Sequence, residues 1–408
     1  MASQSENFAL IRVVGVGGAG SNAVNRMIRA ELLGVEFIAV NTDAQALVKS
    51  HAPTRIHIGD AISRGLGAGG DSVVGERAAQ EDLENLRTAL DGSDLVFVTA
   101  GMGGGTGSGA APVVAKVAKD LGALTIGIIT KPFDFEGKRR AAVANAAAEE
   151  LRKYVDTLIV IPNERLLNVV SRQTSMEDSF RIADDVLRQA VQGVSDVITV
   201  PGIINLDFAD VRSIMKDAGS ALMGIGRASG ESRARAAAEL AIASPLLELD
   251  IQGATGVLVN VAASSTVTLH EVNEAINHIT ERADPEANII FGTSLDETLA
   301  DEVQITVIAT GFAGNARSQS HRAASLRTEF PFGRDDGDTP HWSAGAEIVS
   351  AEPYLSPAQP APASTWTPST HPAVSQEPSV TPLGSEGISP SPVAGDELEI
   401  PAFLRRRS

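Results

Sequence analysis

Two glycine-rich segments have the residue types and spacing of phosphate-binding turns. The first, Gly15-Val-Gly-Gly-Ala-Gly20, fits the pattern G-x-G-x-x-G, and the second is Gly101-Met-Gly-Gly-Gly-Thr-Gly-Ser-Gly109. Each follows an apolar, β-branched run and precedes a helical pattern. Glycine lets the backbone turn tightly and bring N–H groups against phosphate oxygens, and the helix N-terminus adds a partial positive charge. Two such turns on one crevice suit a diphosphate or triphosphate.

A dinucleotide-binding Rossmann domain would also explain the first turn, with Asp43 after the second predicted strand as the ribose acid. The second turn favours the phosphate interpretation. Its six glycines in nine residues would destabilise a regular element, so the segment needs a compensating role. The lysine-bearing G-x-x-x-x-G-K-[ST] loop is absent. Charge neutralisation is therefore expected from backbone amides, helix dipoles and a cation such as Mg²⁺.

The elements that must position these turns alternate between strand and helix patterns, which is typical of βαβ units and a parallel sheet. The predicted strands are residues 11–16, 37–40, 95–100, 124–130 and 157–161, and later 220–226, 256–262 and 305–310. The predicted helices are residues 21–30, 75–90, 110–121 and 138–154, and later 232–243 and 269–281. Between the two sets, residues 176–197 have apolar residues at helical spacing, which predicts a long central helix.

Length, composition and charge limit the class of protein. A chain of 408 residues is too long for one core, so two folded domains are expected. The absence of cysteine excludes disulfides and thiolate metal sites, and the seven histidines have no metal-ligand spacing, so no metal site is predicted in the protein itself. A net charge of −18 argues against binding nucleic acid or anionic lipid, and the basic run at residues 138–140 is typical of a solvated helix face. Without a signal segment or a long apolar run, the chain is expected to be cytoplasmic and not inserted in a membrane.

The last quarter of the chain has a different composition. Residues 314–395 are rich in Pro, Ser, Ala, Thr and Gly without periodicity, which predicts a disordered linker. Residues 396–408 place acids before Pro401 and three arginines at the end, which predicts a short helix. Its apolar side chains would bind a partner's groove: Leu398, Ile400, Phe403 and Leu404. A solubilising, disordered end is the alternative.

Several motifs, in one order along the chain, resemble the tubulin/FtsZ family. The glycine-rich stretch at residues 103–109 is similar to its signature loop, and further similar stretches are residues 40–47, 131–140, 205–210, 221–226 and 396–406. The resemblance implies an α/β, tubulin-like GTPase fold: a Rossmann-like parallel-sheet domain, a central helix and a smaller α+β second domain. The implied divisions are an N-terminal extension (1–10), a GTP-binding domain (11–175), the central helix (176–200), a second domain (201–313), the linker (314–395) and a partner-binding peptide (396–408).

The resemblance also implies a GTP site. Two sets of residues would bind the phosphates. The first is Gly17, Gly18, Ala19, Gly20, Ser21 and Asn22, and the second is Gly103, Gly104, Gly105, Thr106, Gly107, Ser108 and Gly109. A loop with Ala68, Gly69 and Gly70 would close over the γ-phosphate. Glu136 and Arg140 would reach the ribose, and Phe180 and Asp184 would contact guanine. The residue types agree, since Phe180 offers a stacking face and a carboxylate can accept from guanine N1 and N2. Without the resemblance, Phe180 is more often core.

One stretch departs from the family pattern. Relatives often have Pro-Glu shortly after the γ-phosphate loop, whereas here Gly70 is followed by Asp71-Ser72-Val73. The missing proline removes a rigid helix start. Asp71 or Ser72 is expected to cap the helix instead.

Three polar residues follow the central helix: Asn205, Asp207 and Asp210. They are expected far from the subunit's own nucleotide, since the helix spans about 30 Å. By residue type alone, the acids are loop and helix-cap residues. The resemblance implies that head-to-tail stacking brings them to the next subunit's γ-phosphate, where they orient the attacking water. It further implies filaments, a division ring and membrane-tethering partners; a non-hydrolysing scaffold of the same fold is the alternative.

Overall fold

The predicted parallel strands form the centre of a ten-stranded sheet. The computed structural model describes residues 9–168, 173–246 and 251–312. In these residues the strands are β1 (Ile11–Val16), β2 (Val35–Asn41), β3 (Thr54–His57), β4 (Leu95–Gly101), β5 (Leu124–Lys131), β6 (Thr157–Pro162), β7 (Gly219–Ser229), β8 (Gly256–Ala263), β9 (Asn288–Leu295) and β10 (Glu302–Thr310). Their order in the sheet is β3-β2-β1-β4-β5-β6-β7-β10-β8-β9. Only β10 runs antiparallel to its neighbours, so the α/β fold class is confirmed.

Helices cover both faces of the sheet. They are α1 (Gly17–Arg29), α2 (Ala44–Val48), α3 (Asp60–Ser63), α4 (Ser72–Glu81), α5 (Leu83–Leu90), α6 (Gly105–Asp120), α7 (Lys138–Arg152), α8 (Asn163–Leu166), α9 (Met176–Thr199), α10 (Phe208–Met215), α11 (Arg233–Ile242) and α12 (Leu269–Thr280). Side chains of adjacent residues in one strand pack into cores on opposite faces of the sheet, because successive side chains of a strand alternate between the two faces. Val13 packs in the core with α1 and α9, whereas Val14 packs in the core with α4 to α7.

The strand order brings the two glycine turns to one edge of the sheet. β1 lies directly beside β4 in a parallel pair, with Val16 opposite Ala100 at their carboxyl ends. The glycine turns follow at these ends, and α1 and α6 begin there. Open α/β sheets bind ligands at the carboxyl ends of their strands, so the fold predicts a crevice between these two helices.

The predicted central helix is confirmed as α9, which has 24 residues. At 1.5 Å per residue it is about 36 Å long. Its buried side chains, including Leu187, Ala190 and Val194, belong to one core cluster with Met223, Leu258 and Ile308 of the second half. Gly193 lets α9 approach β10, since a Cβ there would lie 2.7 Å from the Thr306 side chain. The two halves therefore share a core and one sheet.

Some predicted boundaries were wrong. The predicted helix at residues 75–90 is two helices, α4 and α5, and the helices predicted from residues 21 and 110 begin at Gly17 and Gly105. The edge strands β3 and β9 and the helix α10 were not predicted, because they are short or lack a clear apolar period. None of the described helices is long and apolar enough to cross a membrane. The predicted linker and terminal peptide lie outside the described residues.

Candidate functional site

The glycines of the first turn have different surroundings: Gly17 and Gly20 are closely packed, whereas Gly18 faces open space. Gly17 has a positive φ of 73°, which favours glycine. Gly20 lets α1 approach β4, since a Cβ there would lie 2.4 Å from the Thr99 carbonyl oxygen. Gly18 is exposed, and a Cβ there would meet nothing within 4 Å. Because Val16 at the N-cap has no side-chain acceptor, the first amides of α1 are available to a ligand.

The second turn is partly helical, which corrects its description as a loop. Gly103 has a φ of 98°, but Gly105, Gly107 and Gly109 lie inside α6. These helical glycines serve close packing: a Cβ on Gly109 would lie 2.0 Å from the Ser72 carbonyl oxygen of α4. The Ser108 hydroxyl accepts a hydrogen bond from the Gly103 amide at 2.8 Å and closes the turn. Gly104, the N-cap residue, has open space where its Cβ would be.

The two turns are in backbone contact. A Cβ on Gly17 would lie 2.9 Å from the amide nitrogen of Gly107, and a Cβ on Gly101 would lie 2.6 Å from the Ala19 side chain. The N-termini of α1 and α6 therefore meet at one place, as the sequence predicted. Two converging helix N-termini form an anion-binding site.

The predicted γ-phosphate loop lies against this place. Ala68 is buried, and a Cβ on Gly105, the first residue of α6, would lie 2.8 Å from the Ala68 side chain. Gly69 and Gly70 have positive φ and face open space. Asp71 caps α4 by accepting from the Val73 amide at 2.9 Å, which confirms the expected substitute for proline.

A hydroxyl pair that the sequence interpretation missed joins the second strand to this region. Thr42 Oγ1 lies 2.7 Å from Thr106 Oγ1 in the first turn of α6. Thr42 is fully buried just after β2. Its stretch, residues 40–47, had carried the family resemblance without a residue role, so the motif was the available signal.

The predicted ribose contacts lie beside the second turn and contact each other. Arg140 Nη1 and Glu136 Oε2 are 2.9 Å apart, and Glu136 Oε1 accepts from the Phe133 amide at 2.9 Å. Arg140 packs close to Gly103, where a Cβ would lie 2.7 Å from Arg140 Cγ. The Glu136 carboxylate is thus engaged within the protein and holds the guanidinium next to the turn.

The predicted guanine contacts lie on the first half of α9. Phe180 is half-buried and packs edge-on against Phe133, with ring centroids 5.4 Å apart. Burial raises the pKa of Asp184 to about 7, opposed by the nearby Arg26 guanidinium of α1. A carboxyl group with this pKa changes charge near neutral pH. Hydrogen-bond donors from a ligand would favour its ionised form.

Asn205, Asp207 and Asp210 lie beyond the opposite end of α9. Asp207 caps α10 by accepting from the Asp210 amide at 2.8 Å, and Asn205 Oδ1 accepts from the Gly202 amide at 2.6 Å. The segment is tied to β9, since Ile204 donates its amide proton to Thr293 Oγ1 at 2.8 Å. The side chains of Asn205 and Asp207 are exposed. The structure therefore keeps these three residues apart from the glycine turns of the same subunit.

Residues 10–171 match the model of the tubulin/FtsZ family GTPase domain, and residues 219–313 match the FtsZ family C-terminal domain. A solved structure of an FtsZ dimer from M. jannaschii is 44% identical, with 76% of this chain and 90% of that chain covered at a TM-score of 0.73. The chain belongs to the tubulin/FtsZ family. Members of the tubulin/FtsZ family are GTPases, and the glycine turns described above lie within the matched GTPase domain.

More distant tubulin/FtsZ structures have the same fold. CetZ2 from Haloferax volcanii, described as a GTPγS-bound protofilament, is 20% identical, covers 78% of this chain and 98% of its own, and has a TM-score of 0.63. CetZ1 from the same organism, described as a GDP-bound monomer, is 22% identical, covers 76% and 97%, and has a TM-score of 0.65.

The described residues fit the nucleotide of a tubulin/FtsZ GTPase. In the described part of the chain, five buried side-chain polar atoms have no hydrogen-bond partner: Ser21 Oγ, Arg26 Nε, Thr99 Oγ1, Asn163 Oδ1 and Thr306 Oγ1. Buried polar atoms are normally paired. Ser21 lies early in α1 and Asn163 directly follows β6, at the carboxyl edge of the sheet where the fold predicts a ligand. Arg26 and Asn163 were missed, because a lone Arg in a helix and an Asn after a strand carry no motif.

The structure does not support Asp43 as the ribose-binding acid of a dinucleotide site. Asp43 caps α2 by accepting from the Gln45 amide at 2.8 Å and the Ala46 amide at 3.1 Å. Its carboxylate is therefore committed to the helix. The family match and this geometry agree on a tubulin/FtsZ nucleotide site.

One cavity lies outside this tubulin/FtsZ site. A cavity of about 450 Å³ lies near the start of β8 and the end of β10, lined in part by Ser213, Lys216, Asn288 and Phe312, and none of the predicted site residues lines it. Among the described residues, no three His, Asp or Glu side chains form a group able to hold a metal ion.

Proposed function

We propose that this protein is a self-assembling cytoskeletal GTPase that forms head-to-tail filaments and hydrolyses GTP at the junction between subunits. The family match supports the GTPase activity. The observation that carries the shared site is the separation of the glycine turns from Asp207 and Asp210 by the length of α9.

In this proposal the phosphates lie between the N-termini of α1 and α6. The segments at residues 17–22 and 103–109 hold the phosphate oxygens through the amides in the first turns of α1 and α6, which have no partner within their helices. The exposed backbone at Gly69 and Gly70 contacts the γ-phosphate. No lysine loop neutralises the phosphates, so Mg²⁺ bound with the nucleotide would supply that positive charge. The hydroxyl groups of Thr42 and Thr106, at the N-terminal end of α6, are hydrogen-bonded to each other.

The nucleoside lies along the start of α9. Asp184 as a carboxylate accepts from guanine N1 and N2, which adenine does not offer as donors. The half-buried Phe180 ring provides an apolar contact, and Arg140, held by Glu136, lies beside the ribose. The unpaired atoms of Ser21, Arg26 and Asn163 gain partners when the nucleotide binds.

The junction completes the site for hydrolysis. Asn205, Asp207 and Asp210 of one subunit approach the γ-phosphate bound by the next, where the carboxylates orient and polarise the attacking water. Such assistance contributes about 10²–10⁴ in rate. A heterologous contact does not close on itself and so generates open filaments. The FtsZ relative solved as a dimer and the CetZ2 relative solved as a protofilament support self-association.

The cellular role follows from the family. The filaments form the ring at the division site in the cytoplasm, and residues 396–408 bind membrane-tethering and regulatory partners through the linker at 314–395. The proposed domains are a GTP-binding domain at residues 11–175 and, at residues 201–313, a domain that activates the neighbouring nucleotide. The family matches at residues 10–171 and 219–313 support this division.

Phosphate release across a series of protein concentrations tests this proposal. Dilute protein is expected to bind GTP but hydrolyse it slowly. The specific activity should rise steeply with concentration and reach a plateau when nearly every subunit has a neighbour. A specific rate independent of concentration would contradict the shared site, and GTP binding without any phosphate release would favour the non-hydrolysing scaffold.

A further inference from the structure

The carbonyl oxygen of Thr42 connects the proposed γ-phosphate loop to the sheet. It accepts from the Gly67 amide at 3.1 Å, and Gly67 is the first residue of the loop at residues 67–70. The segment before the loop is tied to the same place, since the Ala44 amide donates to the Gly65 carbonyl at 3.2 Å. The position of the loop therefore depends on the position of the Thr42 peptide group.

His57 is the second donor to this oxygen. Its Nε2 lies 3.1 Å from the Thr42 carbonyl oxygen, and its Nδ1 lies 2.6 Å from Asp60 Oδ1. The Asp60 carboxylate thus orients the ring with Nε2 toward Thr42, and because a carbonyl oxygen only accepts, the Nε2 N–H is the donor in this contact. His57 ends β3 at the edge of the sheet, so it joins β3 and α3 to the base of the loop.

A third group near this oxygen has another acceptor. Ser63 Oγ lies 3.1 Å from the Thr42 carbonyl oxygen and 3.0 Å from the Gly59 carbonyl oxygen. A hydroxyl has one proton and a carbonyl oxygen has two lone pairs. The Gly59 carbonyl oxygen already accepts the Ile62 amide at 3.2 Å and the Ser63 amide at 2.8 Å, so the Ser63 proton is not reserved for Gly59. The Thr42 carbonyl oxygen therefore faces three donors: the Gly67 amide, the His57 ring and the Ser63 hydroxyl.

The same threonine also contacts the second glycine turn. Its side-chain hydroxyl lies 2.7 Å from Thr106 Oγ1, while its carbonyl holds the loop. A displacement of Thr42 would therefore move the loop relative to the N-terminus of α6, where the terminal phosphate binds in the proposed function. Gly67, Gly69 and Gly70 all have positive φ, and such glycine-rich backbone adopts other conformations readily when its anchors are removed.

We infer that His57 is a positioning residue that selects GTP over GDP, because its hydrogen bond to the Thr42 carbonyl holds the loop at residues 67–70 in the conformation that contacts the γ-phosphate. This inference rests on the proposed function. The residue acts through Thr42 and does not itself touch the nucleotide. The expected signature is an effect on triphosphate binding alone.

The test compares two amide variants of the full-length protein. The amide nitrogen of Gln reaches the place of the histidine Nε2, whereas the shorter amide of Asn reaches only the place of Nδ1. His57→Gln is expected to retain the donor to Thr42, and His57→Asn is expected to lose it. Dissociation constants for GTPγS and GDP are measured at protein concentrations too low for assembly. His51→Asn is the matched control, since the His51 side chain is exposed.

In His57→Asn the affinity for GTPγS should fall about tenfold, the usual effect of losing one hydrogen bond. The affinity for GDP should not change, and His57→Gln and His51→Asn should resemble the wild type. Equal losses for both nucleotides, or no change in the GTPγS to GDP ratio in His57→Asn, would overturn the inference and leave His57 a structural residue. If the wild type bound neither nucleotide, the proposed function itself would fail, which is a distinguishable result.

Discussion

A Cβ atom on Gly17 would lie 2.9 Å from the backbone nitrogen of Gly107. The two glycine turns, about 90 residues apart in the chain, therefore depend on each other for their geometry. Gly17 also has a φ of 73°, which costs other L-residues about 1–2 kcal/mol. The neighbouring Gly18 has neither restriction. A substitution at Gly17 therefore tests the need for glycine in the fold, and one at Gly18 tests the need for glycine in ligand binding.

Gly17→Ala should destabilise the fold, because the methyl group meets the Gly107 backbone. Gly18→Ala should leave thermal stability unchanged or raise it by about 0.5–1 kcal/mol, since Gly18 lies in α1 and its Cβ position is open. Its affinity for GTP should nevertheless fall, because the methyl group enters the space in front of the α1 amides. Thermal unfolding and nucleotide titration measure the two effects. Undiminished GTP binding by Gly18→Ala would show that the phosphates bind elsewhere.

The affinity for GTP should depend on the ionisation of Asp184. Burial raises the pKa of this carboxyl group to about 7, and guanine donors bind only the carboxylate. Binding then releases a proton below pH 7, so affinity should fall by up to about tenfold per pH unit below that value and level off above it. Titrations of wild type and Asp184→Asn from about pH 5.5 to about pH 8.5 isolate this effect from phosphate ionisation.

Asp184→Asn should bind more weakly at high pH and lack this part of the pH dependence. Glu177→Gln, an exposed substitution on the same helix, is the control and should keep the wild-type profile. Superimposable pH profiles for wild type and Asp184→Asn would remove Asp184 from the guanine contact.

The stability of the protein should fall as the pH rises toward neutrality because of Asp196. Burial raises the pKa of Asp196 from 3.8 to about 7, with a contribution from the Asp296 carboxylate, while Gln192 and Arg188 oppose the shift. Since the folded-state pKa is the higher one, this contribution is fully present below about pH 4 and is lost as the pH rises through 7. The loss is at most about 4 kcal/mol, at 1.36 kcal/mol per pKa unit.

Asp196→Asn should therefore be more stable than the wild type at about pH 8 and should have a flatter stability profile, as measured by denaturant unfolding at several pH values. The exposed substitution Glu239→Gln is the control. A variant less stable than the wild type at about pH 8 would mean that the Asp196 carboxylate is stabilised by its neighbours.

Asp210→Ala should bind GTP and assemble, with hydrolysis reduced by about 10²–10⁴. The α10 cap should survive, because Asp207 accepts from the backbone amide of residue 210. In filaments mixed with wild type, the variant should lower GTP turnover. Each variant subunit fails to promote hydrolysis of its neighbour's GTP, while its own GTP is still hydrolysed at the junction with a wild-type subunit. Phosphate release at several mixing ratios measures this, with the exposed Glu231→Ala as control. Wild-type turnover by Asp210→Ala would reduce Asp207 and Asp210 to capping acids.

Removal of residues 314–408 should leave GTP binding and hydrolysis largely intact. Every residue proposed for the nucleotide or for hydrolysis precedes residue 211. The truncated and full-length proteins can be compared by nucleotide titration and phosphate release. Loss of nucleotide binding on truncation would mean that the removed segment contributes to the site.

The local pattern of the sequence was sufficient for much of this molecule. Strands such as β1 and β4 were predicted because their apolar, β-branched runs end in glycine turns, and α9 was predicted from its helical period. The Asp71 cap was predicted because capping depends only on neighbours along the chain. Motifs in their order along the chain also identified the family.

Tertiary structure decided what depends on groups distant in sequence. The glycines of α6 were interpreted as a loop, and only the approach of α4 shows why Gly109 is tolerated inside a helix. The contact of His57 with Thr42 exists because β3 pairs with β2 at the sheet edge. The pKa of Asp184 depends on burial between packed helices. Short-range spacing encodes turns, caps and periods, whereas desolvation and close backbone approach arise only when distant segments pack together.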